Sequence, residues 1–255
     1  HTEIEMELGR FPEESILIDD AGEPVPFQRV QSHSTANGRS RIAWIVALPP
    51  LGYRVYQLLP EGTSAETPPL TATYNTLENE RFRLTFDPET GCLISLLDKE
   101  AEVEVLAGPA ARPVVIDDPS DTWSHGVFRF DDEVGAFTAA AVRVIESGPV
   151  KAVLQVESTY GQSHLIQDFT LYGGPDSPPR IDVHVTVEWH EQFKMLKLRF
   201  PVNVRLMTAT HAIPYGHVER EANGEEEPIQ GWVDVSGTIR GRDLSYGLSV
   251  LNNGK

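Results

Sequence analysis

From Asp182 the chain alternates with a period of two, placing Val183, Val185, Val187 and Trp189 on one side and His184, Thr186, Glu188 and His190 on the other. Successive side chains that point to opposite faces define a β-strand, and this pattern predicts one that is half-buried. Leu196, Leu198 and Phe200 repeat the pattern against Met195, Lys197 and Arg199. Pro201 lacks a backbone donor and marks that strand's end or a sheet edge. A third run, Val202 to Leu206, leads into Ile213-Pro-Tyr-Gly-His-Val-Glu-Arg220, which reads as a polar-aromatic loop at the rim of the strands. Rim loops on a rigid scaffold are where sites are built.

The same grammar runs through the rest of the chain. Ser15–Ile18, Val25–Val30, Arg41–Leu48 and Tyr53–Leu58 read as short strands, with turn chemistry at Asp19–Pro24 and Pro49–Gly52. Pro60–Thr73 is rich in Pro, Thr and Glu with little to bury, which suits a linker. Phe82, Leu84 and Phe86 share a face ahead of Asp87-Pro-Glu-Thr-Gly91, a turn signal, and Cys92–Leu97 returns. Further strands are expected at Val103–Leu106, Val114–Ile116, Val127–Phe130, Ala139–Ile145, Lys151–Ser158, Leu165–Tyr172 and Gly247–Leu251, several of them separated by turn clusters such as Tyr172–Pro179. No amphipathic helix longer than about three turns stands out, against a globular norm of roughly a third helix. The expectation is an all-β fold: a small β-sandwich domain over 1–64, a linker over 65–76, and a larger β domain over 77–255.

Charge and cysteine content exclude several classes. Lys and Arg number 21 against 38 Asp and Glu, a formal charge of −17, which disfavours nucleic acid or anionic membrane as partner and leaves a neutral sugar compatible. Glu225-Glu226-Glu227, the longest acidic run, reads as solvated surface. Cys92 stands alone, so an intrachain disulfide and a Cys cluster for metal are both ruled out, and a reducing cytoplasm is the simplest setting. No apolar run reaches the ~20 residues of a membrane span. With His1 at one end and a strand-like run just before Lys255, both ends read as cut from a longer polypeptide.

Three constellations invite chemistry. His190-Glu191 begins like a zinc motif, but position 194 is Lys, so a polar corner at a strand end is expected. Asp117-Asp-Pro-Ser-Asp-Thr-Trp-Ser-His-Gly126 packs carboxylates, an indole and an imidazole into one loop; such groups hydrogen-bond sugar hydroxyls and stack on a pyranose face. The competing account is a turn in which Asp caps backbone amides and Trp123 plugs the core. In Tyr215–Arg220, Arg220 can order sugar hydroxyls with Glu219 fixing its guanidinium, or the two form a plain surface ion pair.

Taken in order, Leu77-Glu-Asn-Glu80, Asp87–Gly91, Leu96-Leu-Asp-Lys99, Asp121–Gly126, Trp189-His-Glu191, Lys197–Val202, Ile213–Arg220, Trp232-Val-Asp234 and Leu251-Asn252 resemble the C-terminal β region of bacterial α-mannosidases of glycoside hydrolase family 38. Asp20–Gln28 and Leu51–Tyr56 resemble that family's small β-domain. The resemblance implies a small β-sandwich followed by part of a large, galactose-mutarotase-like super-sandwich. It further implies a retaining α-mannoside hydrolase with a zinc ion and an Asp nucleophile in an N-terminal catalytic domain; no position of this chain matches those ligands, so no catalytic or metal residue is expected in it. Loops of the large sandwich approach the sugar site in that family, which marks Asp121, Trp123 and His125, with Tyr215, His217 and Arg220, as substrate-binding candidates. The implied partners are an α-mannoside and the chain's own N-terminal catalytic domain, and an oligomer is compatible. Two rival accounts stand beside this one: a stand-alone carbohydrate-binding module, and an aldose-epimerase-like enzyme using His125, His217 and Glu219.

Overall fold

The computed structural model describes residues 2–66, 70–174 and 177–253. The fold is all-β, and no helix occurs among the described residues. The first strands are β1 (Thr2–Gly9), β2 (Ile16–Ile18), β3 (Pro24–Val25), β4 (Phe27–Val30), β5 (Arg39–Val46), β6 (Gln57–Leu59), β7 (Thr71–Thr73) and β8 (Thr76–Glu78). Next come β9 (Phe82–Phe86), β10 (Leu93–Asp98), β11 (Val103–Glu104), β12 (Arg112–Asp117), β13 (Glu133–Ala136), β14 (Thr138–Ser147) and β15 (Lys151–Tyr160). The last are β16 (Ser163–Tyr172), β17 (Asp182–Glu188), β18 (Lys194–Arg199), β19 (Val204–Ile213), β20 (Gly216–Arg220), β21 (Trp232–Ile239) and β22 (Ser245–Leu251). Strand orders include β1-β5-β4, β3-β2-β6, β14-β15-β16-β17, β13-β12-β18 and β20-β19-β21-β22. Contacts group the chain into two units, one of His1–Phe82, Val142–Val156 and Ile166–Val185, the other of Arg83–Ala141, Glu157–Leu165 and Thr186–Lys255.

In the first unit β5 shows why the small sheets form. Ile42, Trp44 and Val46 lie two residues apart, face one way and are buried with Leu17, while Phe27, Tyr56 and Leu58 pack around them. The Asp19 turn is held by its own side chain, whose Oδ1 accepts from the amides of Ala21 and Glu23, both at 2.9 Å. Tyr53–Leu58, expected as a strand, is one only at its end: Gln57–Leu59 pairs with Ile16–Ile18, and Tyr53 is exposed. Its alternation supplied faces, but β2 offers only a three-residue edge to pair with. Of the Pro-rich stretch read as a linker, Thr71–Thr73 pairs with Thr76–Glu78, and Thr67–Pro69 lies outside the described residues, as do Pro175 and Asp176 of the later turn cluster.

The second unit opens on the expected hairpin. Asp87 accepts from the Gly91 amide at 2.8 Å, its Oδ1 accepts from Glu89 at 2.9 Å, and Gly91 takes a positive φ of 70° that a side chain would resist. Val115, Phe137 and Leu165 form a core with Tyr160, Trp189 and Leu196, and the Trp189 ring stacks on Phe137 at 6.3 Å. On the β13-β12-β18 sheet, Glu133 reaches Arg112 Nη2 and Arg199 Nη1, each at 2.6 Å. The hydrogen bond from Arg112 holds its carboxyl below the usual range, and Arg199 adds to it.

Three expectations change here. Val127–Phe130 is not a strand; the Phe128 carbonyl instead accepts from the Glu226 amide of a later loop. Ile213–Arg220 is not a loop but a hairpin, with Tyr215 at the turn and β20 paired to β19 from Ala209↔Arg220 to Ile213↔Gly216. The alternation of β17 does not give a half-buried strand, since Val183, Val185 and Val187 are 36%, 39% and 45% exposed. A two-residue period decides which side chains share a face, whereas burial needs a layer packed against that face.

Candidate functional site

The loop after β12 is organised by Asp121. Its Oδ1 accepts from the amides of Trp123 (3.0 Å) and His125 (3.3 Å), its Oδ2 lies 2.8 Å from His125 Nδ1, and its carbonyl accepts from Ser124 at 3.0 Å. Ser124 and Gly126 take positive φ values that close the turn. Half of the competing account therefore holds, because Asp121 does cap backbone amides. The other half fails, because Trp123 is 79% exposed and plugs nothing. An indole facing solvent beside a fixed carboxylate–imidazole pair offers an apolar plane next to directed polar groups.

The carboxyl of Asp121 sits below the usual carboxylate range, first because His125 bonds to its side chain and then because backbone amides donate to it. A depressed acid contributes order that is present above its unfolded value and lost as pH falls through the lower folded value. The Asp121 transition in Trp123 emission, read against a Trp123→Phe reference, is therefore expected below the ordinary Asp range, in stronger acid. A transition centred in the ordinary Asp range contradicts this, and Asp121→Asn should abolish the transition.

Tyr215, His217 and Arg220 do not form one cluster. Tyr215 is fully exposed at the hairpin turn with a φ of 66°. His217 and Arg220 lie three positions apart on β20, so they face opposite sides of the sheet. The His217 ring lies 6.4 Å from that of Trp232, tilted by 40°. Arg220 turns the other way, with Nε 3.3 Å from Glu227 Oε2 and Nη1 donating to the Pro228 carbonyl at 3.0 Å. Glu227, not Glu219, holds the guanidinium, because Glu219 and Arg220, as adjacent strand residues, point apart.

What joins Arg220 to the Trp123 loop is the acidic run that reads in sequence as solvated surface. The Glu226 amide donates to the Phe128 carbonyl at 2.8 Å, and Arg129 Nη2 donates to the Asn223 carbonyl at 2.8 Å. Lys197 pairs with the Glu226 carboxylate. Sequence reasoning missed Lys197, Glu226, Glu227 and Trp232. The available signal was a three-glutamate run in a chain already strongly acidic, which needs nearby cations to settle against a surface.

Elsewhere the His190–Glu191 corner is structural. Glu191 Oε1 accepts from the Gln162 amide (3.2 Å) and the Ser163 hydroxyl (3.0 Å), and the Ser163 hydroxyl accepts from the His190 amide at 2.9 Å. A cavity of about 530 Å³ in the first unit, lined by Glu23, Arg54, Tyr56 and Gly173 among others, holds none of the six candidates. Among the described residues no three His, Cys, Asp or Glu side chains are grouped to hold a metal ion.

Comparison with known proteins follows this geometry. The family described as glycosyl hydrolases family 38 C-terminal domain matches residues 77–255. Alpha-mannosidase 2C1 of Mus musculus is 29% identical over 198 residues, which are 71% of this chain and 18% of that protein. Alpha-mannosidase G of Dictyostelium discoideum is 25% identical over 184 residues, 65% of this chain and 16% of that protein. Alpha-mannosidase 2C1 of Homo sapiens is 28% identical over 198 residues, again 71% and 18%. The chain thus spans less than a fifth of the length of these relatives. With the match running from within β8 to β22 and covering both the Trp123 loop and the β19–β20 hairpin, this chain belongs to the glycosyl hydrolases family 38 C-terminal domain family.

Proposed function

We propose that this chain is a non-catalytic C-terminal β region of an α-mannosidase, which buttresses an N-terminal catalytic domain and lends side chains to the mouth of its sugar site. The match of residues 77–255 to the family 38 C-terminal domain, with relatives named as alpha-mannosidases, carries this reading. The substrate is an α-mannoside, and zinc and the nucleophile belong to the catalytic domain. Architecturally the larger β region is part of a mutarotase-like super-sandwich. A cytoplasmic setting suits the single, buried, unpaired thiol of Cys92.

An exposed indole next to the Asp121–His125 pair, tied through the acidic segment to Arg220, supports a rim that touches sugar. Arg220→Ala in the full-length protein is expected to raise KM for an aryl α-mannoside by roughly twofold to tenfold, the worth of one hydrogen bond to a neutral hydroxyl. Wild-type kinetics for that variant would remove the rim from the reading. Mannose or mannobiose titrated into this chain alone, followed by Trp fluorescence, addresses the rival: binding at millimolar concentration or tighter would make it a carbohydrate-binding module in its own right.

A further inference from the structure

The segment between β20 and β21 is bound at both ends to the two candidate elements. Toward the Trp123 loop, the Asn223 carbonyl accepts from Arg129, the Glu226 amide donates to Phe128, and Glu226 Oε1 accepts from the Phe130 amide at 3.4 Å. Toward β20, Glu227 and the Pro228 carbonyl both engage the Arg220 guanidinium. The Gln230 amide then closes the segment onto Ala212 of β19 at 2.9 Å.

Lys197 stands at the junction. It lies on β18 opposite Val114 of β12, so its backbone is fixed in a ladder rather than a loop. Its ammonium donates to the Phe130 carbonyl at 2.5 Å and to the Glu226 carboxylate, joining the end of one loop to the acidic segment. An isolated exposed ion pair contributes little, but this one sits among three backbone-anchored hydrogen bonds between the same two segments. It also brings a cation to Glu226 in a run of three glutamates that otherwise repel one another and the acidic surface.

The geometry points to Lys197 as a positioning residue: with Glu226 it latches the Trp123 loop to the segment that holds Arg220, so both present themselves to a mannoside as one preformed rim. The inference rests on the reading of these elements as sugar-facing. It acts through preorganisation, so its loss appears in substrate binding more than in turnover.

The test uses the full-length protein, with backbone hydrogen exchange over residues 128–130 and 223–228 and steady-state kinetics on an aryl α-mannoside. Glu226→Gln, an exposed substitution that leaves the fold intact, and Lys197→Met should each speed exchange about tenfold in both segments together. Each should also raise KM about threefold with kcat essentially unchanged, and Lys197→Arg should recover most of both effects. Unchanged exchange in Glu226→Gln overturns the latch. Faster exchange with unchanged KM overturns the positioning role, and Arg220→Ala then locates the failure. If that variant raises KM, the rim reading stands without the latch; if it does not, the rim reading has itself failed.

Discussion

Gly237→Val is expected to cost about 3 kcal/mol or more, the upper range for forcing atoms into a packed site. A Cβ at this position would lie 2.5 Å from the Arg205 carbonyl oxygen and 3.2 Å from Val204 Cβ. The first of these is backbone, and Val204 is fully buried, so neither can yield without parting β19 from β21. The contact is close because β19 carries a bulge here: pairing jumps between Arg205 and Thr208, and Leu206 takes a φ of 52°. Urea unfolding should show a lower midpoint with an unchanged m-value, and thermal unfolding a fall of roughly 6–12 °C. An unfolding free energy within about 0.5 kcal/mol of the parent, the span of an ordinary surface substitution, would disprove the steric account. The same sheet carries His217 and Arg220, so the proposed rim should loosen with it.

Lys151→Met is expected to cost about 3 kcal/mol, because it strands partly buried carboxylates rather than because the lysine itself contributes that much. The Lys151 side chain is 10% exposed, with Nζ 2.6 Å from Glu3 Oε1, 2.6 Å from Glu5 Oε1 and 3.8 Å from Glu146 Oε2. Glu5 keeps Arg41 as a second partner. Among the described residues Glu3 keeps the Tyr172 hydroxyl, 3.1 Å away, whose single proton also faces Asp182 at 2.9 Å. Burial and the neighbouring carboxylates push that phenol far above its usual range, so it remains a neutral hydroxyl. Methionine fills the space of the lysine stem but removes the cation beside the Glu3 carboxyl. Adding Glu3→Gln to Lys151→Met should therefore recover most of the loss, a coupling that only a double-mutant cycle in urea exposes. If the double variant is as unstable as Lys151→Met alone, packing of the stem rather than charge is responsible.

Local chemistry is legible in sequence where one or two residues decide it. Asp19, Asp87 and Asp121 each bond to the amides that follow them, as short polar side chains at turns do. The Asp121–His125 loop was picked out by composition, and its turn follows from the same rule. The Ile213–Arg220 stretch resembles a loop in sequence because Pro214 and Gly216 look like loop residues. In fact Pro214 and Tyr215 make a tight two-residue turn between Ile213 and Gly216, and the strand continues on both sides of it.

What the sequence alone determined is the all-β character, the hairpin at Asp87–Gly91, the Asp121 turn and the family to which residues 77–255 belong. These follow from a two-residue period, from φ restrictions at turns and from motif order, all carried by residues close in the chain or by their succession. Only the tertiary structure decided that His217 and Arg220 part to opposite faces, that β17 stays open, and that Glu227 rather than Glu219 holds Arg220. It also decided that Lys197 meets Glu226 across 29 residues and Phe130 across 67, and that Arg129 meets Asn223 across 94. Partners so distant are chosen by sheet register and by which cations lie within reach of a repelled acidic run, and no local pattern encodes either.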